Sequence, residues 1–254
     1  VLQTVVVVCG DVIDTLSKTL NATTIDLVRK LFNILNHAAL RTIVILGNHD
    51  AANGCLKSFF PLWSNITLLL EDSVVVENVR FYVLPCSNTS NRPDTDISMP
   101  KPQQDLIAVG LYHGPCHPSS TPRLHVDPGY QLILLGDQHT CIFSSLGSAP
   151  QRLGVANPGP HGWHGTGWAY AGSMVQRSRN EAWDDHGMLV WDLNNRSVTF
   201  HPLTCGILHL TIKHLSDDGQ RAFDEKGEKW VDWGQLHRFI QLGTCKLSVR
   251  EKSI

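Results

Sequence analysis

The feature that most restricts what this chain can fold into is an apolar run that stops at a glycine and hands over to a metal-binding type of side chain. It occurs repeatedly. Residues 42–46 end in Gly47-Asn48-His49-Asp50, and residues 4–9 end in Gly10-Asp11. Residues 131–135 end in Gly136-Asp137-Gln138-His139, and residues 106–112 deliver His113-Gly114. Short apolar runs rich in branched side chains read as buried strands. In an open α/β sheet, ligands bind beyond the carboxyl ends of the strands. Four such ends bearing carboxylate, amide and imidazole groups therefore converge on a single expectation, a site at that edge.

The segments between the runs fit an α/β chain. Thr24 can cap a helix in which Ile25, Val28, Leu31, Phe32 and Leu35 recur at helical spacing. A strand, helix, strand unit with parallel strands follows from this. Residues 55–63 read as a short helix, residues 66–70 as a strand, and residues 74–76 and 79–84 as a hairpin about Glu77-Asn78. Residues 85–102 are a polar, proline-containing surface loop. Residues 154–168, with five glycines, two prolines and two tryptophans, suit a functional loop and neither a helix nor a central strand. Residues 186–193 and 197–203 form a hairpin with Asn194-Asn195 suited to positive φ. The pattern changes after Thr204, which divides the chain into a main domain, 1–203, and a small, partial capping unit, 204–254.

With 254 residues and a net charge of −2, the chain can bury a large core but has no global basic footprint. A nucleic-acid partner would then be held by a local patch or through metal ions. The seven cysteines include no CxxC pair, so a reducing, cytoplasmic setting is expected rather than a disulfide framework. No run reaches the length of a membrane span. Residues 1–8 lack a charged leader and a cleavage site, and read as a core strand rather than a signal peptide.

Asp11, Asn48, His113, Asp137 and His139 together suit Mn²⁺, Fe or Zn²⁺, with Mg²⁺ also compatible, better than a metal that demands thiolates. A carboxylate such as Asp11 can bridge two ions about 3.5–4 Å apart, the spacing used to clamp a phosphoryl displacement. His49 is placed to protonate the leaving oxygen, and Asp50 to orient its ring. His117, His125, His161 and His164 lie in loops without such placement and read as non-ligands. Asp14, three residues after Asp11, reads as a loop residue near the site.

These residues resemble a known family. GDVID, GNHD, the strand-borne YHG and GDQH, in that order, look like motifs two to five of the calcineurin-like metallophosphoesterases. Downstream, Tyr170-Ala171-Gly172-Ser173, then Gln176, then Asn180-Glu181, then the segment from His186 to Leu193, resembles SbcD-type DNA repair nucleases and their phage counterparts. The resemblance covers about residues 4–203. It implies a four-layer αββα sandwich of mixed sheets with a small C-terminal cap. It also implies a di-metal, most often di-manganese, centre and exonuclease and endonuclease activity on DNA ends in repair and recombination. An SbcC-type SMC-like ATPase is the implied partner, and a homodimer is compatible with it. On this resemblance Asp11 is the bridging ligand, Asn48, His113 and Asp137 serve the second metal, His139 serves the first, and His49 is the catalytic histidine. Two departures stand out. The family's opening Asp-x-His motif is expected on a strand before Val5, and this sequence begins too late to contain it, so that either it is a fragment or the first metal site has lost two ligands; and Asp137 stands where motif five has its first histidine. A carboxylate there favours a harder metal.

The leading expectation is a metal-dependent DNA phosphodiesterase, with residues 154–168 and the unit after 204 as DNA-facing surfaces. The alternatives are a phosphatase or small-nucleotide phosphodiesterase on the same scaffold, and a catalytically weak subunit that binds DNA or the ATPase.

Overall fold

The computed structural model describes residues 4–13, 20–54, 56–86, 95–114, 123–174 and 186–203, and the backbone of 208–215, 221–224, 229–232 and 247–251. Asp14, His117, Gln176, Asn180 and Glu181 lie outside the described residues. In chain order the elements are β1 (Val5–Cys9), α1 (Ala22–Ala38), β2 (Arg41–Ile45), α2 (Asn48–Asn53), a 3₁₀ turn (Leu56–Leu62), β3 (Ile66–Leu68), β4 (Ser73–Val76) and β5 (Val79–Leu84). They continue with β6 (Ile97–Ser98), β7 (Ile107–His113), β8 (Leu124–His125), β9 (Tyr130–Gly136), β10 (Ile142–Ser145), β11 (Gln151–Arg152), β12 (His161–Gly162) and β13 (Gly167–Tyr170). Last come β14 (Gly187–Asp192), β15 (Ser197–Pro202), β16 (Leu208–Leu215), β17 (Arg221–Asp224), β18 (Lys229–Asp232) and β19 (Leu247–Glu251).

Contacts group these elements into two compact units. The first takes residues 1–138, 144–149 and 164–170, and the second takes 139–143, 150–163 and 171–254.

In the first unit β1, β2 and β3 form a parallel sheet, in register from Val5 opposite Arg41 to Cys9 opposite Ile45. A second, mixed sheet has β5, β7, β9 and β13 running parallel and β4 antiparallel at its edge. β1 lies against β7 and β9, and β2 against β7, so two inner layers face each other. α1 forms an outer layer: Val28 and Phe32 pack with Val44, Leu56, Phe60, Trp63 and Ile66. Phe32 meets the Phe60 and Trp63 rings at centroid distances of 5.2 Å each. Of the four layers expected, these three are present among the described residues.

Local details depart from the sequence reading for identifiable reasons. Asn21, not Thr24, caps α1, its Oδ1 accepting from the Thr24 N–H at 2.8 Å. A short amide side chain at this position offers a better-placed acceptor than a threonine already inside the first turn. The short helix expected over 55–63 is present as a 3₁₀ helix over Leu56–Leu62, with Pro61 inside it having no N–H to donate.

The expectation that residues 154–168 exclude a central strand is overturned at its end. Gly167 and Trp168 begin β13, which pairs with β9 and is buried throughout. Flanking glycines misled the reading, since the short apolar run Trp168-Ala169-Tyr170 carries the strand.

In the second unit β14 and β15 form the expected hairpin, with β12 alongside. Its turn departs from expectation: positive φ falls on Arg196 (49°), while Asp192 accepts hydrogen bonds from the Asn195 N–H and Nδ2 at 2.9 and 2.6 Å. The Asp192 side chain organises the turn, so the asparagines need no left-handed backbone. Trp191 packs its ring against Trp163 at 5.3 Å and Phe143 at 5.9 Å. Trp163 and Trp168 are each 1 % exposed, so the tryptophans of 154–168 are packing residues of their respective units. Beyond residue 208 a four-stranded sheet runs β18-β17-β16-β19, with β16 and β19 parallel.

Among the described residues no helix is long and apolar enough to cross a membrane.

Candidate metal centre

Parallel pairing brings the strand ends that carry the candidate ligands to one edge. Cys9 and Ile45 are opposite each other at the ends of β1 and β2, so Gly10-Asp11 and Gly47-Asn48 leave together. His113 is opposite Gly136 at the ends of β7 and β9, so Asp137 emerges one residue further on. The chain turns sharply at each exit. Gly10 has φ +86°, and a Cβ there would lie 2.5 Å from the His113 Nδ1 and 2.6 Å from the Gly47 nitrogen. Asp11 (φ 52°) and Asp137 (φ 96°) themselves adopt left-handed backbone, a conformation that costs free energy outside glycine and clusters at functional sites. The two aspartates are thereby turned back toward the strand ends.

His113 sits at the focus, 2 % exposed. Its Nδ1 is 2.7 Å from the Cys9 carbonyl oxygen. A carbonyl only accepts, so Nδ1 carries the proton and donates. That leaves Nε2 facing Asn48 Oδ1 at 3.1 Å, Asp11 Oδ2 at 3.3 Å and Asp137 Oδ1 at 3.9 Å. In the neutral ring a lone pair then points at three oxygens, an arrangement that is repulsive by itself and complementary to a cation. The titration of the ring tells the same story. Burial pulls the His113 pKa down, but the hydrogen bond and charge of Asp11, the Cys9 carbonyl and the Asp137 charge outweigh it and raise it. Burial raises Asp11 in turn, yet the His113 bond and charge, helped by His49, hold its carboxyl below the ordinary value. The surroundings favour positive charge at this point. Ligand atoms of Asp11, His113 and Asp137 all lie within 4.8 Å of one another, and hard oxygen donors with one imidazole suit a divalent cation of the Mn²⁺ kind. A carbonyl-anchored imidazole is also the usual support of a metal-bound histidine.

The GNHD segment opens helix α2 at Asn48. His49 donates its backbone N–H to Asp11 Oδ1 at 3.1 Å, and its ring Nε2 lies 4.0 Å from Asp11 Oδ2. The imidazole thus borders the cluster. Asp50, expected to orient that ring, is fully buried and accepts from three backbone groups: Gly47 N–H at 3.1 Å, Ile13 N–H at 3.0 Å and Val12 N–H at 3.2 Å. Burial raises its pKa despite those three donors, and the Asp11 charge adds to the rise. Asp50 ties the loop after β1 to the loop after β2, and so holds Asp11 and Asn48 in one frame.

One contributor and one neighbour of the cluster were missed. Cys9 serves through its carbonyl, which no side-chain motif can reveal. Cys86, two residues beyond β5, has its thiol pKa pushed up to about 11 by burial and by the charges of Asp11, Asp137 and Asp50. Its position just past a parallel strand end was the available signal.

His139 belongs to the second unit. Its carbonyl accepts from the Ser173 N–H at 3.2 Å, and Ser173 Oγ lies 2.9 Å from His186 Nδ1. His125, read as a non-ligand, pairs with Asp96 at 2.9 Å.

The family of calcineurin-like phosphoesterases matches residues 3–141, the span that contains Asp11, Asn48, His49, Asp50, His113, Asp137 and His139. The chain is 24 % identical over 243 residues to the uncharacterized protein R555 of Acanthamoeba polyphaga mimivirus, an alignment covering 86 % of this chain and 16 % of that protein. The chain therefore spans about a sixth of the length of that relative.

Proposed function

Since the chain belongs to the calcineurin-like phosphoesterase family, a family of metal-dependent hydrolases, we propose that it is a phosphodiesterase acting on DNA ends in repair or recombination. The observation that carries the reaction class is the convergence of Asn48, Asp11 and Asp137 oxygens on the His113 Nε2. The choice of DNA rests on the likeness of residues 170–193 to SbcD-type nucleases.

Asp11, Asn48, His113 and Asp137 would hold the cation, with His139 added on the sequence pattern alone. When bound, divalent metal supplies positive charge against phosphoryl oxygens and an acidified water. The chain's own part is positioning and proton handling. Asp11 offers one oxygen toward His113 and uses the other to fix the His49 backbone. The His49 ring, with about a fifth of its surface open to solvent, would give a proton to the leaving oxygen. Asp50 keeps the two loops from separating. Mn²⁺ is the proposed metal, because Asp137 in place of histidine adds a hard, charged donor. An SbcC-type ATPase partner, a cytoplasmic setting, the boundary near residue 204 and DNA contact through residues 154–168 and the unit beyond 204 belong to the same proposal.

Purified protein with Mn²⁺ and an end-labelled linear duplex tests it. Cleavage is expected, and His49→Ala is expected to lower it by about 10²–10⁴-fold; unchanged cleavage would reject the role given to His49. Faster turnover of a nucleotide monoester or a cyclic nucleotide than of duplex would move the assignment to a phosphatase or small-nucleotide phosphodiesterase. The substitution at Asp137 favours one further reading, a catalytically weak binding subunit. Two ions per chain on metal analysis would exclude it, and one or none would support it.

A further inference from the structure

Tyr170 ends β13, and its side chain is fully buried. It stands opposite Leu135 of β9, level with the strand end that leads to Asp137. Its hydroxyl donates to the carbonyl of Gly114 at 2.8 Å, and Gly114 directly follows His113. The Gly114 N–H donates in turn to the carbonyl of Gly136 at 3.2 Å, the residue before Asp137. A Cβ at Gly114 would collide with the Tyr112 hydroxyl, so that ring closes the third side. The peptide after His113 is therefore clamped by Gly136, Tyr112 and Tyr170. Phenylalanine would serve the packing of β13 equally well, whereas a buried phenol must find a partner for its hydroxyl. Here the partner is the peptide joined to the central ligand.

We infer that Tyr170 is a positioning residue for the metal centre: through the Gly114 carbonyl it fixes the end of β7, and so sets how tightly His113 and its neighbours hold a divalent cation. This rests on the metal-centre reading above. Ligand supports of this kind matter because an ångström of slack at a metal site degrades its geometry.

Calorimetric titration of Mn²⁺ into the metal-free protein separates this role from plain stability. Thr166 supplies the control, since its Oγ1 donates to the Tyr130 carbonyl at 2.7 Å and is also buried, one residue before the start of β13. Tyr170→Phe and Thr166→Val are expected to lower the metal-free melting temperature comparably. Only Tyr170→Phe is expected to weaken Mn²⁺ binding, by about 10-fold. In a His113→Gln background the same change should have no further effect on affinity. Tyr170→His, which returns a ring N–H donor, should recover part of the affinity and keeps the question answerable if the phenylalanine variant does not fold. Equal affinity of wild type and Tyr170→Phe would overturn the inference, as would an equal loss in Thr166→Val. Absence of Mn²⁺ binding by the wild type would instead reject the metal-centre reading itself.

Discussion

At the scale of single residues, the centre depends on groups whose polarity is committed by backbone partners. Asp50 is the clearest case, because three N–H groups from two loops end on one buried carboxylate. Asp50→Ala leaves those donors unsatisfied in a dry environment, where each orphan costs roughly 1–3 kcal/mol. A loss of about 3 kcal/mol or more in urea unfolding is expected, along with weaker Mn²⁺ binding. A loss below 1 kcal/mol would show that the loops are held by other means. Cys9 gives a prediction with a defined sign. Burial pushes its thiol from the ordinary 9.0 to about 12. Above pH 9 the unfolded chain releases this proton and the folded chain keeps it, so stability present at neutral pH is lost as pH climbs toward 12, by about 1.4 kcal/mol per pH unit. Urea midpoints between pH 9 and 11 should fall more steeply for wild type than for Cys9→Ala. Parallel slopes would mean that the thiol titrates normally.

At the scale of elements, the strand ends explain both what was legible and what was not. The clustering of Asp11, Asn48, His113 and Asp137 could be read from sequence because each follows an apolar run, and parallel pairing forces such ends to one edge. The role of Asp50 could not, since its partners Val12 and Ile13 are distant in sequence and offer only backbone. The β13 strand was obscured by glycines for a similar reason: local composition argued for a loop, and burial against β9 prevailed. Gly136 tests how closely the ends must approach. A Cβ there would run into the Cys9 carbonyl and lie 2.6 Å from His113 Nδ1. Gly136→Ala is therefore expected to destabilise by about 1–3 kcal/mol and to weaken Mn²⁺ binding at least 10-fold. Gly162→Ala, whose added Cβ meets nothing nearer than the Arg196 carbonyl at 3.8 Å, should change neither. Equal behaviour of the two variants would remove close backbone approach from the account of the site.

At the scale of the whole molecule, Asp11, Asn48, His113 and Asp137, the candidate ligands, all belong to the first unit, while His139 begins the second. A cation held by these residues would be linked to folding through the first unit's strand ends. A ligand that binds only the folded state stabilises it by mass action, about 2.7 kcal/mol at a hundred times its dissociation constant. For a cooperative block of this size that corresponds to a rise of roughly 5–10 °C in melting temperature. Trp63 and Trp168 lie in the first unit and Trp163 and Trp191 in the second, so variants retaining one pair report each unit's unfolding separately. Mn²⁺ is expected to raise the transition seen by Trp63 and Trp168, and Asp11→Asn to abolish that rise, because it removes the carboxylate that faces both His113 and His49. His139→Ala is expected to remove part of the rise if the imidazole contributes a ligand, as the sequence pattern proposes. A full rise in that variant would confine the centre to Asp11, Asn48, His113 and Asp137. No rise in the wild type would show that the oxygens around His113 Nε2 are satisfied by its own second proton, and that this strand-end cluster is an ion-paired scaffold rather than a metal site.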